Sequence, residues 1–73
     1  MKHKHKFSAV LIPDHGDAVF LRPFNNAVNC KSHAVCSAQF VLKHSTEVNQ
    51  IEVVILEHRE AIDHQLISRE ATI

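Results

Sequence analysis

Two short apolar runs, Phe7-Ser8-Ala9-Val10-Leu11-Ile12 and Ala18-Val19-Phe20-Leu21-Arg22, flank the polar segment Pro13-Asp14-His15-Gly16-Asp17. Apolar runs of this length bounded by turn residues predict strands. The separator supplies the turn: proline presets φ, aspartate can bond the following backbone, and Gly16 accepts a positive φ. The pair reads as a β-hairpin. Both strands are apolar on both faces, so one face is expected against helix and the other against a partner chain.

Pro23 ends the second run, and Asn25 or Asn26 suits an N-cap. From Ala27 the period changes. At 100° per residue Ala27, Val28, Cys30, Ala34, Val35, Ala38, Val41 and Leu42 share one arc of roughly 160°, interrupted by Lys31. This predicts an amphipathic helix ending near Lys43-His44, whose charge complements a helix C-terminus. Alanines on the stripe allow a neighbouring backbone to come close.

The segment after Ser45 supports two readings. Val48, Ile51, Ile55, His58, Ile62, Gln65 and Arg69 recur at alternating intervals of three and four, a heptad-like seam. It predicts a second helix over residues 46–69, capped by Ser45 or Thr46, with His58 buried in the seam. The rival is a strand over the β-branched run Ile51-Glu52-Val53-Val54-Ile55-Leu56, followed by a helix. No Gly, Pro or Asn marks a break at Glu57-His58, which favours continuous helix. The expected fold is α+β: an N-terminal β-hairpin followed by two helices packed on one sheet face. The alternative is ββαβα, with residues 50–56 as a third strand.

Composition sharpens this picture in two ways. A 73-residue chain that is 45% apolar, with four Phe and no Tyr or Trp, buries only roughly 60–65% of its unfolded surface. Self-association offsets so small a core, and a homodimer is expected. Residues 1–6, Met1-Lys2-His3-Lys4-His5-Lys6, hold nothing to bury and read as a basic arm before a single domain over 7–73. Apolar runs are too short for a signal peptide or for the roughly 20 residues of a membrane span. Together with two unpaired thiols, this points to a cytoplasmic protein with no membrane partner.

Charge is balanced at eight basic and eight acidic residues but unevenly placed. Residues 1–45 hold six basic and two acidic side chains, and residues 46–73 the reverse. The two halves should attract each other. A net charge of zero disfavours nucleic acid as a partner, since phosphate contacts need an excess of basic groups.

The candidate chemistry is sparse. His3, third after a free amine, could complete a square-planar Cu(II) or Ni(II) site with the amine and two backbone amides. Cys30, His33 and Cys36 form a Cys/His cluster whose donors suit Zn, Ni or Cu. On a helix the three spread over roughly 120°, so a buried Cys30 and an exposed Cys36 is the more economical reading. A chain with one glycine has no glycine-rich loop for phosphate, and no nucleophile elbow is present, so neither enzyme activity nor a cofactor is expected.

The order of a strand over 18–22, a helix over 27–43 and a helix over 46–69 resembles the small dimeric ribbon-helix-helix regulators. That resemblance implies a paired ribbon entering the DNA major groove. The chain departs from the pattern in having a hairpin partner before the strand, no polar base-reading residues on the strand's exposed face, and no glycine between the helices. The expected function is therefore a small non-enzymatic protein-binding modulator or inhibitor, dimeric, with Val19, Phe20 and Phe40 facing partners. A DNA-binding transcriptional regulator is the second reading, and a metal-binding or metal-responsive protein the third.

Overall fold

The computed structural model describes residues 6–69, in the order β1 (Phe7–Pro13), β2 (Val19–Phe20), α1 (Ala27–His44), β3 (Gln50–Glu57) and β4 (Glu60–Ser68). The strands form one antiparallel sheet in the order β2-β1-β3-β4, with α1 packed on one face. The fold is α+β, but with one helix where two were expected. The ββαβα alternative comes closer, because residues 50–56 do lie in a strand, and its final helix is instead β4.

The hairpin forms where the sequence places it. Gly16 adopts φ 95° in the turn, which costs a residue without Cβ nothing. The second strand is shorter than expected, pairing Leu11 with Val19 and Val10 with Phe20. The chain then stays beside β1 through mutual backbone hydrogen bonds between Phe7 and Phe24.

Asn26 caps α1, its Oδ1 accepting the Val28 and Asn29 amides at 2.8 and 3.2 Å. At the other end Lys43 and His44 stand in the last turn, where cations favour the helix dipole. Cys30, Ala34, Ala38 and Leu42, one turn apart, are all buried against the sheet. Three small side chains in this row set α1 close to Ala9, Leu11, Ile51, Val53 and Ile55, which complete the core with Val48.

The expected second helix fails at His58. Instead of a buried seam position, His58 is an exposed residue of a two-residue turn, with φ 52° at His58 and 77° at Arg59. Paired positive φ values are what a tight hairpin needs to match strand twist, and Asn-Gly is the sequence that meets the need without strain. His-Arg does so at a cost of order 1 kcal/mol per residue. Replacing both, His58→Asn with Arg59→Gly, is expected to raise stability by about 1–2 kcal/mol in urea unfolding. No gain in the transition midpoint would show that the turn is not strained.

With the reversal made, the β-branched run pairs on both sides, β1 from Phe7↔Glu57 to Pro13↔Ile51 and β4 from Gln50↔Ser68 to Glu57↔Glu60. Between Ile55 and Leu56 the register to β4 slips at a bulge. The uneven charge halves do meet: Lys6 pairs with Glu57 at 3.4 Å and Lys31 with Asp63 at 2.8 Å.

Candidate protein-binding surfaces

Alternation along the strands divides the sheet into two faces. Ala9, Leu11, Ile51, Val53 and Ile55 face α1, so Val10, Ile12, Val54 and Leu66 face away from it. Directly paired residues build a row across this open face, Phe20, Val10, Val54 and His64, next to a second row of Ile12, Glu52 and Leu66. Val10 and Val54 are buried by their neighbours in the sheet although no helix covers them, whereas Phe20 is 77% and Leu66 60% exposed. His64 Nδ1 lies 2.9 Å from Glu52 Oε2, so the polar pair on this face satisfies itself.

The helix side holds a second surface. α1 lies over β1 and β3 and reaches β4 only slightly. An open groove of about 600 Å³ therefore runs between α1 and β4, with Val35, Leu42, Gln39 and Lys43 on one wall and Gln65 and Ile67 on the other. A smaller depression that shares Val35 and Gln65 continues it toward Val28.

The residues singled out from the sequence are scattered over these surfaces. Phe20 is on the open face, Val19 shares the helix side with its partner Leu11, and Phe40 is exposed on α1, its ring 4.3 Å from that of His44. They do not form one patch. Cys30 is buried, and that burial pushes its thiol pKa up. Cys36 is exposed, and the His33 ring lies 5.2 Å from that of Phe24, tilted by 46°. Among the described residues no group of three or more His, Cys, Asp or Glu side chains is placed to hold a metal ion. His3 lies outside the described residues.

Three polar residues tie separate elements of the fold together. The Asp14 carboxylate accepts the Asn49 amide at 3.0 Å while the Asp14 amide donates to the Gln50 carbonyl, tying the hairpin turn to the start of β3. Asp63 accepts from Lys31 Nζ and from the His64 amide. Arg69, expected at the end of a helical seam, instead donates to the carbonyls of Leu42, Ser45 and Val48.

The hydrogen bond from the Asn49 amide holds the Asp14 carboxyl below its usual range, and the one from Lys31 does the same for Asp63. A carboxyl whose folded pKa is depressed adds stability above its unfolded value, near pH 4, and loses it as pH falls toward the folded value. Thermal stability should thus fall on acidification below about pH 4, and the double variant Asp14→Asn, Asp63→Asn should show a shallower fall. Melting curves with equal pH slopes would remove these two groups from the account.

Among the described residues no helix is long and apolar enough to cross a membrane. No protein-family model, curated protein or solved structure matches the chain.

Proposed function

We propose that this chain is a small non-enzymatic modulator that acts by binding protein, and that it works as a homodimer closed over the bare sheet face. The observation that carries the reading is the apolar row of Phe20, Val10 and Val54, with Ile12 and Leu66 beside it, on the face opposite α1. Its polar members, Glu52 and His64, hydrogen-bond each other, so what remains for a partner to cover is apolar. A second copy meets this condition, apolar side chains covering their like. Three strands of about seven residues and the two-residue β2 present a face of about 360 Å², so two copies cover about 700 Å² before side-chain relief is counted, the range of a weak, concentration-dependent pair.

Sedimentation at tens of micromolar is expected to give a species of twice the 8.3 kDa chain mass. Phe20→Asp should return it to the single-chain mass while keeping the circular dichroism of the folded state. A wild type that sediments only as one chain would refute the dimer.

The second helix needed for a ribbon-helix-helix arrangement is replaced by β3 and β4, so that resemblance in element order no longer supports the DNA-binding reading.

A further inference from the structure

β4 is an edge strand, and the geometry of its outer side is set by one hydrogen bond. The Arg69 amide donates inward to the Asn49 carbonyl at 2.9 Å. In an antiparallel ladder inward-bonding residues alternate with outward-pointing ones. Ile67, Gln65 and Asp63 therefore bond to β3, while the backbone groups of Ser68, Leu66 and His64 point away from the sheet. The His64 amide is taken by the Asp63 carboxylate at 2.9 Å. That leaves the Leu66 and Ser68 amides and the carbonyls of all three without a backbone partner among the described residues. The register slip at Ile55/Leu56 bends the strand before this stretch, so the straight, pairable segment is His64 to Ser68.

This edge forms one side of the α1–β4 groove. A strand added to it would place every second side chain on the helix side, between Val35 and Leu42 on α1 and Ile67 on β4. The two ends of the trough differ in charge. Lys31, at the Val28 end, is neutralised by Asp63. Lys43, at the Ser68 end, has no carboxylate partner among the described residues.

From the joint presence, among the described residues, of backbone groups without a partner, an apolar trough and a cation without a carboxylate, we infer that β4 and α1 form a receptor for an extended peptide segment of a partner protein. The segment pairs antiparallel with His64–Ser68 as a fifth strand. It carries an acidic residue against Lys43, followed by apolar residues two positions apart that enter the groove. The inference rests on the protein-binding reading for the class of partner, but it uses the opposite side of the sheet from the proposed dimer contact.

The test begins with the full chain and a random octapeptide library displayed on phage. Enrichment of sequences with an acidic residue ahead of apolar residues spaced by two is expected. In a synthetic peptide of an enriched sequence, N-methylation of the alternate amides that face β4 should abolish binding, and methylation of the intervening amides should be tolerated. Binding should slow hydrogen exchange at the Leu66 and Ser68 amides. Lys43→Glu should weaken binding by about tenfold or more, whereas Phe20→Asp should leave it unchanged.

Three outcomes would overturn the inference: no enrichment, binding indifferent to which amides are methylated, or no added protection at Leu66 and Ser68. Slow exchange at these amides in the free protein, in a dimer that survives Phe20→Asp, would also overturn it. The edge would then belong to a second copy. Loss of the dimer in Phe20→Asp with peptide binding intact, or the converse, separates this inference from the open-face reading.

Discussion

Ile51→Ala is expected to lower the unfolding free energy by about 2–5 kcal/mol, the cost of deleting buried methyl and methylene groups from a site that cannot fully collapse. Ile51 is 1% exposed and stands where β3 is paired on both sides, by Pro13 and Ile67. A domain of this length has a total stability of about 4–11 kcal/mol, so the variant should lose from about a fifth to most of it. The melting temperature should fall by about 10–30 °C. In the Phe20→Asp background, where no second copy covers the open face, adding Leu66→Ala at its exposed site should change stability by less than about 0.5 kcal/mol. Comparable losses for the two variants in chemical denaturation would show that the open face is as well packed as the core.

Arg69→Ala should come next, at about 2–3 kcal/mol. One guanidinium satisfies three carbonyls, those of Leu42 at the end of α1, of Ser45 and of Val48. Its removal leaves them to compete for water in a part-buried corner, and hydrogen bonds from charged donors are each worth about 1.5–3 kcal/mol. Arg69→Lys should recover only part of the loss, because an ammonium on a flexible stem lacks the planar fork that reaches several acceptors at once. Full recovery by lysine in urea unfolding would mean that charge alone, at the helix C-terminus, is what matters there.

The contrast between α1 and the segment after it explains how far the sequence could be read. α1 carries its own signals: an N-cap at Asn26, a buried stripe of uniform spacing and basic residues in the last turn. Each is local and all agree. In residues 46–69 the seam positions Ile51 and Ile55 do reach the core, but so does Val53, and only the strand reading includes it. Periods of two and of three to four overlap on Ile51 and Ile55, so the decision fell to the break. His58 and Arg59 make that break in left-handed backbone without glycine or asparagine, the chemistry by which such turns are recognised.

The candidate surfaces were legible in part for the same reason. The hairpin reading names Val19 and Phe20 together as partner-facing, and only the register separates them, Phe20 on the bare face and Val19 on the helix side. The α1–β4 groove had no sequence signal at all, since its second wall was assigned to a helix. Arg69 gave no warning either, because what it holds together lies 21 to 27 residues away along the chain.

The pairing of β1 with β3 also constrains the order of events by which the chain reaches this state. Their partners are 38 to 50 residues apart in sequence, with the whole of α1 between them. Contacts so distant must close a long loop before they contribute, which slows folding relative to a helical bundle of equal size. During synthesis at about 5–20 residues per second, β1 waits for seconds with only β2 and α1 to cover it before β3 emerges. For that interval Val10, Leu11 and Ile12 form an apolar strand with one side unpaired, the kind of edge on which nascent chains associate wrongly. The tight turn before β4 then adds its strand at once, so the last half of the sheet is completed far faster than the first half finds its partner.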